Sequence, residues 1–231
     1  MQRLWLTIML ITLLGHCSRA NEHLVLSGGP ALRQWEQYRI EPDQHDRWWA
    51  NFIRAATLHI DLIRAEEKAQ GLPKSRINWY VYKLGYSLRG REDGKPYTRW
   101  IQEQANKRGA RLIWINTGDE FINHLNRLPA GRTRSFHYFG HSNKHCFLLD
   151  YSSQILGVSA AWIHETDLRK LSGRAFSKGA ICKSWGCYTG ESMNRYWKRA
   201  TGVAMISARG KTDYSTLAKS QLPSTNKGWV K

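Results

Sequence analysis

Two reactive side chains stand out, His141 and Cys187, because each closes an apolar run that reads as a β-strand. The first run is Arg134-Ser-Phe-His-Tyr-Phe139, followed by Gly140-His141-Ser142; the second is Gly179-Ala-Ile-Cys-Lys-Ser184, followed by Trp185-Gly-Cys187-Tyr-Thr-Gly190. Cys187 follows His141 by 46 positions, the length of one crossover between parallel strands. In open α/β sheets, sites gather at the carboxyl ends of strands, so neighbouring strands would bring thiol and imidazole to one crevice. The nucleophile of a cysteine is its thiolate, and an adjacent imidazole can take the thiol proton and later return it to a leaving group. Cys187 also precedes a helical stretch near Glu191 to Arg199, whose unpaired amides favour negative charge. The backbone N–H groups of Ser142 and Cys187 are candidate oxyanion donors.

The elements that must position this pair follow from periodicity. Trp49, Phe52, Ile53, Ala56, Ile60 and Ile63 recur at three- and four-residue steps, which predicts a helix within Pro42 to Gln70, stopped by Gly71 and Pro73. Strands are expected at 77–82, 111–115, 134–139, 179–184 and 203–207, with a short hairpin partner at 147–151. Helices are expected at 96–107, 118–128 (capped by Thr117), 165–171 and 191–199, with a loop carrying Gly85, Gly90 and Gly94. This alternation predicts a three-layer α/β fold, a mostly parallel sheet with helices on both faces. The organisation read from it is a leader over 1–20, an N-terminal extended arm and packing helix over 21–75, the α/β domain over 76–215 and a loose tail over 216–231.

The pair and its frame resemble the caspase-like cysteine peptidases, in which an apolar strand ending in His precedes, by about 50 residues, one ending in Cys. The nearest local likeness is to the CHAT and separase-like branch, whose blocks read approximately H-F-x-G-H-G and A-C-x-T-G. Here they stand as His137-Tyr-Phe-Gly-His141-Ser142 and Gly186-Cys187-Tyr-Thr-Gly190. The resemblance implies a caspase-like fold over roughly Ile77 to Ser207, with His141 as base and Cys187 as nucleophile of an endopeptidase acting through a thioester. This chain departs from the pattern twice: Ser142 stands where the family has Gly, and Gly186 where Ala is common. Glycine after the histidine would allow unusual dihedrals at an oxyanion donor, so Ser142 bears directly on activity. The resemblance also implies two opposed specificities. Arg89 or Arg91 would hold an acidic substrate side chain, whereas Asp213 would hold a basic one; Trp185, flanking Cys187, is a candidate pocket wall.

Other residues are read more plainly. His137 shares a strand face with His141 and reads as core or crevice lining. His145-Cys146 has no second pair at ligand spacing, so no metal and no cofactor is expected. Cys182 sits mid-strand as a small buried residue, and a Cys146–Cys182 disulfide would leave Cys187 free. Trp79, Trp114 and Trp162 read as core.

The first twenty residues resemble a secretory signal peptide: Arg3, an apolar run over Leu4 to Leu14, and Ser18-Arg19-Ala20 as cleavage site. The run is too short for a membrane span, and a lipoprotein reading through Cys17 is disfavoured by bulky His16. Removal of the leader with Arg3 and Arg19 lowers the formal charge from +17 to +15. Such a chain is drawn to polyanions, including anionic envelope polymers. The cations are scattered, which argues against specific nucleic-acid recognition. Two alternatives to the peptidase follow. One is a non-catalytic basic polyanion- or envelope-binding protein. The other is an L,D-transpeptidase-like acyl transferase, since Ser184-Trp-Gly-Cys187 resembles the Ser-His-Gly-Cys motif of that group; Trp185 replaces its histidine, and those proteins are mainly β.

Overall fold

The computed structural model describes residues 22–151 and 161–231. The segment expected to be a leader, its expected cleavage site and Cys17 lie outside the described residues. The strands are β1 Glu22–Ser27, β2 Arg76–Tyr82, β3 Arg111–Ile115, β4 Thr133–Phe139, β5 His141–Ser142, β6 Cys146–Leu148, β7 Trp162–His164, β8 Phe176–Ser184, β9 Met205–Ala208, β10 Thr212–Asp213, β11 Ser224–Thr225 and β12 Trp229–Val230. The α-helices are α1 Arg33–Glu36, α2 Asn51–Ala69, α3 Lys83–Asp93, α4 Tyr97–Lys107, α5 Gly118–Arg127 and α6 Met193–Thr201.

Seven strands form the central sheet in the order β12-β9-β8-β4-β1-β2-β3. All neighbours are parallel except β12, which runs antiparallel to β9. Parallel strands carry apolar side chains on both faces, and the register here shows it. Leu24, Leu26, Tyr80, Tyr82, Phe136 and Tyr138 point to one core with Phe121 and Leu125 of α5 and Trp197 of α6. Val25, Trp79, Val81 and Phe139, the intervening positions, point to the other with Phe52, Ile53 and Ile60 of α2 and Ile101 of α4. This is the three-layer α/β arrangement that the alternation predicts.

Three elements differ from expectation. Residues 22–27 are no outlying arm but a central strand, wholly buried between β4 and β2. Its polar start is neutralised locally: Glu22 lies 3.5 Å from Arg76 and accepts from Asn78 at 3.3 Å, while His23 Nδ1 is 2.7 Å from Ser135 Oγ. The stretch with Gly85 and Gly90 is helix, with Gly94 at φ +61° ending it. Gly85 is needed because the chain leaving β1 crosses α3 there: a Cβ would sit 3.2 Å from both Gly29 Cα and Pro30 Cδ. The tail is not loose, since Ser224–Thr225 pairs with Thr212–Asp213 and Trp229–Val230 adds the seventh strand. Among the described residues no helix is long and apolar enough to cross a membrane.

Candidate active site

The direction in which the chain adds strands reverses between β1 and β4, and crevices beyond the carboxyl ends of strands at such a reversal are where α/β sheets bind ligands. The chain ends of β1, β4 and β8 meet there. A cavity of about 390 Å³ is lined by Pro30 and Ala31 after β1, Gly140 and His141 after β4, and Cys187 after β8. The two residues singled out by type and spacing thus share one cavity.

His141 is held by the core beneath it. The buried Tyr138 hydroxyl lies 2.5 Å from the His141 carbonyl and 3.1 Å from that of Leu148, one donor shared by both strands of the β5–β6 ladder. Gly140 makes this possible, because a Cβ there would run into the Tyr138 ring. The imidazole stacks on Tyr151 at 3.8 Å between centroids and meets Phe52 and His45 edge-on at 4.8 and 5.5 Å. Burial in this aromatic box, with His45 and Arg39 nearby, holds its pKa well below the usual imidazole value, so the ring is neutral at physiological pH.

Cys187 sits in a turn whose every neighbour is fixed. Ser184 Oγ accepts from the Gly186 N–H at 3.3 Å and from the buried Thr189 hydroxyl at 2.9 Å. Tyr188 occupies the left-handed region at φ 62°, unusual for a residue with a side chain, and its N–H bonds the Gly210 carbonyl at 2.7 Å. Strain of this kind persists only where the surroundings enforce it, and it clusters at functional turns. The sulfur faces the Thr212 N–H and Oγ1, each at 3.3 Å. Among the described residues the Cys187 N–H has no acceptor, which leaves it available to an anionic ligand.

Ser142 and Gly186 prove to be one feature. Ser142 Oγ donates to the Cys187 carbonyl at 2.7 Å. A Cβ on Gly186 would collide with that same hydroxyl and lie 2.9 Å from Ser142 Cβ. The hydroxyl therefore fills the space that a methyl before the cysteine would otherwise take, so Ser142 and Gly186 are complementary where they meet. The β5–β6 ladder also bears on the oxyanion question. Asn143 bonds Cys146 across the ladder, so by alternation Ser142, opposite Phe147, is a non-bonded position with its N–H directed away from β6.

The remaining candidates are distributed differently. Asp213 lines the cavity, but its carboxylate accepts from the Ser215 N–H at 2.8 Å and the Ser215 hydroxyl at 2.7 Å. Arg89 does not line the cavity; it is 1 % exposed, bonded to Asp93 at 2.7 Å and to the Ala31 carbonyl at 3.0 Å. Its charge is spent anchoring the chain after β1. Arg91 is exposed on α3, also away from the cavity. Trp185 is no pocket wall, because its side chain turns into the α2-side core, stacking on Phe139 and donating to His137 Nδ1 at 3.2 Å. His137 is core, in ring contact with His59 at 3.7 Å. His145 pairs with Glu165 at 3.0 Å, and no group of three metal-ligating side chains occurs among the described residues. Cys146 and Cys182 are free thiols, not a disulfide. Burial pushes them up to about 11 and about 12 respectively.

Sequence reading missed the outer wall: His45, Trp48 and Phe52 from the segment entering α2, and Tyr214 after β10. The helical periodicity of Phe52 assigned it to packing. No protein-family model, curated protein or solved structure matches this chain.

Proposed function

We propose that the protein is a cysteine-dependent hydrolase, an endopeptidase of caspase-like type, with Cys187 as nucleophile and His141 as general base. The observation that carries this reading is the shared cavity: a neutral imidazole and a free thiol at the ends of adjacent parallel strands, at the reversal point of the sheet. In the first step His141 takes the thiol proton as sulfur bonds to the scissile carbonyl carbon. The carbonyl oxygen becomes an oxyanion facing the N–H of Cys187, with the N–H of Ser142, a residue outside the cavity lining, as the second candidate donor. Collapse expels the amine, which leaves with the proton from His141, and a thioester remains. Water, deprotonated by the same imidazole, then releases the acid and restores the thiol.

Cleavage of an unstructured protein such as casein tests this. Cys187→Ala and His141→Ala are each expected to lower the rate at least ~10³-fold, since removing one member of such a unit disables the whole. Because His141 is held below the usual imidazole range, the acid limb of the wild-type profile is expected below pH 6.5. Unchanged cleavage in either variant would overturn the reading. The leader over 1–20 makes an exported location part of the proposal. The charge of +17 supports a second reading, a non-catalytic binder of anionic envelope polymer. That reading expects binding that weakens steeply with salt and persists in Cys187→Ala.

A further inference from the structure

We infer that the cavity beside Cys187 receives a large apolar side chain of a polypeptide, an aromatic ring above all, rather than a charged one. The inference rests on the hydrolase reading for where the substrate carbonyl lies, and on the cavity walls for the side chain.

The walls decide the chemistry. Apart from His45 and His141, the cavity is enclosed by Trp48, Phe52, Tyr214, Pro30, Ala31 and Ala218, with Asn51, Thr212 and Ser215 between them. Its charged residues are Arg54 and Asp213, both exposed at the margin and both already bonded to the protein's own chain. The Arg54 guanidinium donates to the Leu217 carbonyl at 3.3 Å, and both carboxylate oxygens of Asp213 hold Ser215. A basic or acidic side chain entering here would give up its hydration against apolar walls, while Arg54 and Asp213 lie exposed to solvent, where an ion pair gains little. An aromatic ring meets no such cost and gains the buried area of three aromatic walls. A volume of about 390 Å³ accommodates one ring together with the backbone that brings its carbonyl to the sulfur.

Trp48 is the residue through which this can be tested. It is 51 % exposed, so the fold does not depend on it, yet it lines the cavity. Cys187 is alkylated with iodoacetamide in the full-length protein in the presence of N-acetylated tripeptide amides ending in Phe, Arg or Asp, and the concentration giving half-protection is recorded. The Phe peptide is expected to protect at a concentration at least ~10-fold below the other two, a modest and ordinary discrimination for an apolar pocket. Trp48→Ala is expected to raise that concentration about tenfold, and Trp48→Phe to restore most of it. Equal protection by all three peptides overturns the inference, as does preference for Asp, or preference for Arg that is lost in Asp213→Asn. Because protection needs no turnover, it is separable from the hydrolase reading, which fails instead if His141→Ala leaves the unprotected alkylation rate unchanged.

Discussion

Gly186→Ala is expected to destabilise the protein by about 3 kcal/mol, and adding Ser142→Gly to recover most of that loss. The methyl would occupy the space of the Ser142 hydroxyl and approach Tyr138 Cε1 to 3.1 Å. Neither neighbour can yield. Ser142 is tied to the Cys187 carbonyl, and Tyr138 bridges the His141 and Leu148 carbonyls. Inserting one carbon into so closed a site costs ~1–3 kcal/mol and occasionally more. Ser142→Gly alone should cost only about 1 kcal/mol, for one hydrogen bond. The double variant should therefore be more stable than the sum of the singles by about 3 kcal/mol, a coupling at the upper end of the range for residues in contact. Urea denaturation of the four proteins measures it; additive losses would contradict the compensation between the two positions.

The second large effect is acid instability seated behind the site. His23, His59 and His137 are buried on the α2 side of the sheet, and burial lowers all three pKa values: His23 to about 4, His59 to about 3, His137 well below its usual range. Nearby cations reinforce the shift, Arg134 and Arg64 for His23 and Lys183 for the other two, while Glu67 and Glu66 oppose it at His23. An imidazole whose folded-state pKa lies below its unfolded one binds its proton more readily in the unfolded chain. Stability is thus fully present above pH 6.5 and is lost as pH falls from there towards 4. A displacement of the size at His23 corresponds to roughly 3 kcal/mol, and the cluster as a whole to more. Equilibrium unfolding at pH 7 and pH 4.5 should show the loss. His59→Phe should flatten it, because that change removes one titrating ring and a buried Nε2 with no partner. A pH-independent stability across that window would refute the assignment.

What the sequence made legible follows from how local each signal is. Strand ends carrying His141 and Cys187 could be read because each follows its own apolar run, and neighbouring in the sheet was a topological expectation that β4 and β8 satisfy. β1 was illegible because a strand buried on both faces has no alternation to recognise, and its polar start, Glu22-His23, is neutralised only by β2 and β4. Helix α3 was hidden by Gly85 and Gly90, whose missing Cβ atoms serve close approach by the chain after β1 and by Lys95. The same helix misled the reading of Arg89, which looks like a loop cation until its contact with Ala31 is known. The exchange between Ser142 and Gly186 could not be seen either, since it exists only as a contact between two strand ends. The outer wall, Trp48 and Phe52, reaches the cavity from about ninety residues before His141, a distance no local pattern spans.

Whether His141 activates Cys187 is measured directly by the second-order rate of Cys187 alkylation by iodoacetamide at neutral pH. Mass spectrometry of the labelled peptides resolves it from Cys146 and Cys182. Cys187 is expected to react at least ~100-fold faster than either, as befits an activated thiol beside two whose pKa is raised by burial, and His141→Ala is expected to remove most of the advantage. A Cys187 rate that is ordinary in the wild type, or that survives unchanged in His141→Ala, would contradict that activation.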